Sequence, residues 1–186
     1  MRFLALIAPV VFAAAAPVAA QQWVPVPAQS SISFSPEWNG AKVDGRFPRF
    51  SANIRFDPAK LAEARVDATI DLAAATTSDK TVNGSLPGSD WFDVKKSPTA
   101  RVQLTSFTAA GKPGAYVGKG TLTMRGLTLP ITLPFTLVIN GNTATMAGGT
   151  VLDRRAFKIG MDSDPGATWV GFKVPVAVKI TAIKGG

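Results

Sequence analysis

The chain has 186 residues, a formal net charge of +8 at pH 7, and neither cysteine nor histidine. Those two absences exclude thiolate nucleophiles, Ser-His-Asp catalysis, disulfide staples and nearly all zinc or haem ligation. Its stability must therefore come from a hydrophobic core, and a 46% apolar composition can supply one.

Residues 1–20 read as a secretory signal. Arg2 gives a basic start, "FLALIAPVVFAAAA" an apolar stretch, and "PVAA" small residues before a cut after Ala20. A retained N-terminal anchor is the other reading, but the run is short and Ala-rich for a spanning helix. The mature chain, 21–186, suits one exported domain.

Period two then dominates. Ile32 and Phe34 alternate with serines, and Ile54 and Phe56 with Asn53, Arg55 and Asp57. Val66, Ala68, Ile70 and Leu72 alternate with Arg65, Asp67, Thr69 and Asp71, and Val102 and Leu104 with Arg101, Gln103 and Thr105. Each reads as a strand with one wet face. "PAKLAEA" (58–64) and "SDKTVNGSLPGSDWFDV" (78–94) read as short helical or loop insertions.

The second half reads as a meander of long strands. "KPG" at 112–114 precedes a strand from Tyr116 to Arg125, "RG" at 125–126 turns, and "NG" at 140–141 is a strong hairpin signal. Between the last two, Leu127, Leu129, Ile131, Leu133, Phe135, Leu137 and Ile139 share one face. Pro130 and Pro134 share the other, and also one hydrogen-bonding flank, where neither can donate. That flank is expected to be an edge, a bulge or a loosely paired seam. "DPG" at 164–166 introduces a final strand expected from about Trp169 to Ile183, with Phe172, Val174, Val176, Val178 and Ile180 inward. Such long one-sided strands predict a closed antiparallel barrel of about eight strands. Periodicity leaves open whether side chains fill it or a ligand does. The mid-sized valines of the last strand and the unusual strand lengths weaken the side-chain-filled reading, and neither decides between the two.

No catalytic constellation stands out. "DSD" at 162–164 reads as a turn rather than a calcium loop, and "GKPGAYVGKG" lacks phosphate-loop spacing. Asp153, Ser78 and Tyr116 are weak candidates for chemistry on a bound lipid. Basic residues are scattered, including Lys95–Lys96 and Arg154–Arg155, without interleaved aromatics, so no nucleic-acid partner is indicated. Arg46, Arg49, Arg125 and Arg154 read as solvated surface, or as contacts for an anionic head group or membrane.

Five blocks carry a family likeness: "WVPVPAQSSISFS" (23–35), "VDGRFPRFSANIRFDPAKLAEARVDATIDLAAATT" (43–77), "SDWFDVKKSPTARVQLTSF" (89–107), "YVGKGTLTMRGLTLPITLPF" (116–135), and "LDRRAFKIG" with "VGFKVPVAVKITA" (152–160, 170–182). In order and spacing they resemble the YceI-like polyisoprenoid-binding proteins of the bacterial periplasm. The chain departs from that pattern at Val26, at Gln29 and at Lys80–Asn83.

The resemblance implies an all-β, eight-stranded antiparallel lipocalin-like barrel with one or two short helical insertions. It implies a periplasmic carrier without catalysis, holding an isoprenoid lipid of quinone or polyprenyl type as its only bound group. Carried onto this chain, the tunnel wall would comprise Ile32, Phe34, Phe47, Ile54, Phe56, Ile70, Leu72 and Leu104. Leu122, Met124, Leu129, Ile131, Leu133, Phe135, Phe157, Phe172, Val174 and Val176 would complete it, with Trp91 and Phe92 near a mouth. The alternatives are an outer-membrane barrel or a lipocalin-like enzyme. Transient membrane contact is compatible with the charge, and the oligomeric state is left open, a homodimer included.

Overall fold

The computed structural model describes residues 20–185. The signal read at residues 1–20 therefore lies outside the described residues except for Ala20. In chain order the strands are β1 (Gln22–Pro25), β2 (Ser31–Phe34), β3 (Glu37–Trp38), β4 (Ala41–Lys42), β5 (Gly45–Arg46), β6 (Phe50–Arg55), β7 (Arg65–Asp71) and β8 (Thr76–Thr77). Helix α1 (Lys80–Ser85) follows, then β9 (Thr99–Ala109), β10 (Ala115–Met124), β11 (Leu127–Asn140), β12 (Thr143–Asp153) and β13 (Lys173–Lys184).

Eight of these close a barrel in the order β1-β6-β7-β9-β10-β11-β12-β13, and β13 pairs back onto β1. Every pairing is antiparallel, as the alternation requires. Strands β2, β5 and β8 extend the wall from the flank of β13. The expected eight-stranded barrel is thus the observed fold.

The turns follow from their residues. Arg125 and Gly126 both take positive φ (52° and 73°), as a two-residue hairpin between right-twisted strands needs. Asn140 is still paired, opposite Thr143, so Gly141 and Asn142 form the tip of the next hairpin. The 58–64 insertion is a short 3-10 turn, Leu61–Glu63. The 78–94 insertion begins with α1, whose Asp79 cap accepts from the backbone N–H of Thr81 at 2.7 Å and Val82 at 3.0 Å.

The last strand is shorter than expected. Residues 169–172 leave the barrel to meet β3: Val170 bridges Trp38, and the Asn39 N–H donates to the Trp169 carbonyl at 2.8 Å. The barrel parity begins only at Lys173.

The proline flank behaves as expected. β11 pairs with β10 without a gap from Leu127 to Thr136, but with β12 only from Phe135 to Asn140. The Leu137 N–H points to the β10 side, reaching the Gly114 carbonyl at 2.7 Å. Even-numbered residues, Pro130 and Pro134 among them, therefore face β12, and that side is unpaired before Phe135.

Gly120 marks a bulge where β10 pairs with β9, and a Cβ there would lie 1.8 Å from the Gln103 carbonyl oxygen. Gly84, inside α1, has nothing within 4 Å of its Cβ position. Gly120→Ala is expected to cost about 1–3 kcal/mol through backbone displacement. Gly84→Ala should stabilise by roughly 0.4–1 kcal/mol by restricting the unfolded chain. Urea midpoints moving in opposite directions for the two variants check this.

Candidate ligand-binding site

The inward face of the barrel lines a cavity of about 260 Å³ whose exposed wall surface is apolar, although Thr150 and Arg154 are among the residues that border it. All but two of the tunnel residues named from the sequence line it. Ile32 and Phe34 come from β2, Phe47 from the β5–β6 corner, Ile54 from β6, and Phe56 just beyond it. Ile70, Leu72, Leu104, Leu122 and Met124 follow, then Ile131, Leu133 and Phe135 from β11, and Phe157, Val174 and Val176. Trp91 and Phe92 reach the cavity from the segment after α1.

Leu129 and Phe172 lie off the cavity wall. Leu129 packs against the buried cluster around Phe92 and Ile159 but does not border the cavity. It sits near the β10–β11 turn, where Arg125 fixes the segment 89–91 at that end of the barrel. Phe172 precedes β13 and so escapes its alternation; its ring lies under the guanidiniums of Arg155, at 4.2 Å, and Arg154, at 5.2 Å.

Other lining residues were not selected from the sequence. Leu137, Val178 and Ile180 continue parity series already visible there, so their signal was present. Phe107 had none: Gly120 pairs with Leu104 but Lys119 with Ser106, so the bulge leaves Thr105 over and switches the inward parity of β9 from even to odd. Trp23 is also on the wall, its indole N–H donating to the Phe56 carbonyl at 2.9 Å.

Aromatic rings cluster at both ends. At the end bearing the β9–β10 turn, Phe56 meets Phe107, Tyr116 and Phe135 edge-on at 5.4, 5.2 and 5.9 Å. At the opposite end Phe34, Phe47 and Phe92 lie 4.8–6.3 Å apart. These spacings are the favoured range for aromatic pairs.

The Phe92 end is built on two polar centres. Arg154, read from the sequence as a surface cation, is only 2% exposed. It donates to the carbonyls of Ile159 (2.8 Å), Gly160 (3.1 Å), Val170 (2.9 Å) and Asp164 (2.7 Å), and to the Asp164 carboxylate at 2.9 Å. Asp164 also accepts from the N–H groups of Thr168 and Val170 at 2.7 and 2.9 Å. Burial alone would raise its carboxyl, but the N–H groups of Val170, Trp169 and Thr168 and the Arg154 charge outweigh it and hold the group below its ordinary value. The "DSD" stretch is thus a turn whose last carboxylate is used internally.

Asp90 is the second centre. Its carboxylate accepts from the N–H of Asp162 and Ser163 at 3.0 and 2.9 Å, while Arg125 donates to the carbonyls of Ser89, Asp90 and Trp91. Burial opposes ionisation of Asp90, yet the Ser163 hydroxyl, those N–H groups and the Arg125 charge lower its carboxyl overall.

The weak catalytic candidates do not converge. Asp153 is held by Arg155 at 2.6 Å and Lys173 at 3.1 Å, whereas Tyr116 stacks on Phe135 at the other end. The outer wall carries charge, as in the Arg101–Asp67 pair. Apolar inside and charged outside is the reverse of a transmembrane barrel.

With this geometry in view, the comparisons assign the chain. The YceI-like domain model matches residues 23–182, and the protein belongs to that family. It is 28% identical over 145 residues to a UPF0312 protein of Shewanella denitrificans, covering 74% of this chain and 75% of that one. It also resembles the crystal structure of Burkholderia cenocepacia BcnA, at 32% identity and TM-score 0.80, covering 84% of this chain and 98% of the other. A polyisoprenoid binding domain from Saccharophagus degradans shares the fold at 13% identity and TM-score 0.68, covering 89% and 99%.

Removing one partner of a buried ion pair strands the other, so Arg154→Ala is expected to cost about 3–5 kcal/mol. Because the Asp164 carboxyl is lowered on folding, its contribution is present above the unfolded carboxylate range and is lost as pH falls through the folded value. Urea midpoints should therefore fall on acidification below about pH 4, and less steeply in Asp164→Asn.

Proposed function

We propose that the protein is a non-catalytic periplasmic carrier that holds an isoprenoid lipid of quinone or polyprenyl type by its tail. The observation that carries this reading is a barrel cavity whose exposed wall surface is apolar, in a protein of the YceI family. The polyisoprenoid-binding description of the Saccharophagus degradans domain supports the ligand class. Export through the N-terminal signal agrees with a chain that has no cysteine to oxidise.

The energetics need few polar contacts. Each buried methylene contributes about 0.8 kcal/mol, so ten approach 8 kcal/mol, the scale of micromolar affinity before association costs. The head group has no polar partner on the wall and remains outside the chamber. Scattered Lys and Arg on the outer wall suit transient contact with an anionic membrane surface.

Native mass spectrometry of the purified protein should show a retained apolar mass. The delipidated chain should take up one isoprenoid quinone. A chain that carries none and accepts none contradicts the reading. Ala68 lines the wall, so Ala68→Phe should fill part of the chamber and weaken uptake roughly tenfold, equivalent to about 1.4 kcal/mol, without unfolding the barrel.

A further inference from the structure

A tail must cross the boundary of the chamber somewhere, and both ends are crowded by packed rings or by ion-paired loops. The edge-to-face cluster of Phe56, Phe107, Tyr116 and Phe135 plugs one end, fixed by the indole of Trp23. At the other end Arg125 grips three successive carbonyls, Asp90 ties in residues 162–163, and the buried Arg154–Asp164 pair holds the loop from within. Opening that end would strand charged groups, which is costly.

The wall itself is interrupted. Going toward the Phe92 end, the β11–β12 ladder stops where Phe135 faces Gly148. Beyond that point β11 stays paired to β10 back to Leu127, and β12 stays paired to β13 as far as Asp153. Residues 128–134 and 149–153 thus face one another as two unpaired lips. Both lips carry chamber residues: Ile131 and Leu133 on one, Thr150 and Leu152 on the other. Pro130 and Pro134 are exposed on the first lip, and Val151, 57% exposed, stands on the second. Neither proline can donate across the gap, so the ladder cannot zip shut there. A Cβ on Gly148 would lie 2.6 Å from the Pro134 carbonyl, so the strands touch at the fork, and no pairing is formed beyond it.

A second interruption lies where β6 loses β1, beside the 3-10 turn Pro27–Gln29. That lip has no chamber residue between Trp23 and Ile32. It is also tied to β13, because Val26 N–H and the Ser30 hydroxyl both donate to the Thr181 carbonyl.

We infer that the gap between β11 and β12 is a lateral portal, through which a flexible, acyclic apolar tail enters and leaves the chamber sideways. The inference rests on the carrier reading of the chamber. A portal governs rates in both directions and leaves the equilibrium affinity unchanged, whereas loss of a binding contact acts mainly on release.

The chain has no cysteine, so a pair introduced at Thr132→Cys and Val151→Cys can be joined specifically with a bifunctional maleimide. These positions would be opposite each other if the β11–β12 register continued. Thr136→Cys with Ala147→Cys, which are paired in the existing ladder, gives the control bridge. The probe is a benzoquinone with a short isoprenoid tail, followed by quenching of Trp23 and Trp91 fluorescence in stopped flow. Joining 132 to 151 should slow uptake and release together by roughly tenfold or more at unchanged Kd, relative to the same variant unjoined, while the 136–147 bridge changes neither rate. Equal rates with and without the 132–151 bridge would overturn the portal, as would a changed Kd at unchanged uptake rate. An unmodified chain that takes up no quinone would overturn the carrier reading first, and the portal with it.

Discussion

Closing a sheet on itself sends every second side chain of eight strands into a single volume, and all else in this protein depends on that constraint. The inward parity gathers leucine, isoleucine, valine and phenylalanine, and the outward parity carries threonine, lysine, arginine and aspartate. A wall made this way exposes apolar surface to whatever enters it. Recognition is left to shape and apolar contact, which suits a long hydrocarbon chain better than a compact polar substrate.

Stability and binding are divided between regions. Aromatic packing and the ladders among β6, β7, β9 and β10 fix the Phe56 end without any buried charge. The Phe92 end is assembled from irregular backbone, whose carbonyls and N–H groups must be satisfied. Arg154 and Arg125 meet the carbonyls, while Asp164 and Asp90 meet the N–H groups. These charges are spent on the protein's own backbone, so the exposed wall stays apolar although Arg154 borders it.

Much of the fold was legible in the sequence because barrel strands obey period two, and because Gly126 and Gly141, which take positive φ freely, mark the two hairpin turns. The seam at Pro130 and Pro134 was legible for the same reason, since parity fixes both the face and the flank of a proline. What stayed hidden depended on departures from period. The bulge at Thr105 placed Phe107 on the wall against its apparent parity, and the crossing of residues 169–172 to β3 removed Phe172 from it. The burial of Arg154 had no local signal, because its partners lie up to sixteen residues away on a loop whose path the sequence does not reveal. A scattered-charge reading treats such an arginine as surface until the fold wraps it.

The central claim is that the chamber is a binding site and not a loosely packed core. Of the four methionines, Met124 and Met146 line the chamber and Met161 does not. With methyl-labelled methionine, the account predicts nuclear Overhauser contacts from Met124 and Met146 to the methyl branches of an added isoprenoid quinone, and none from Met161. Contacts confined to Met161, or methyl signals of Met124 and Met146 unmoved at saturating quinone, would contradict it.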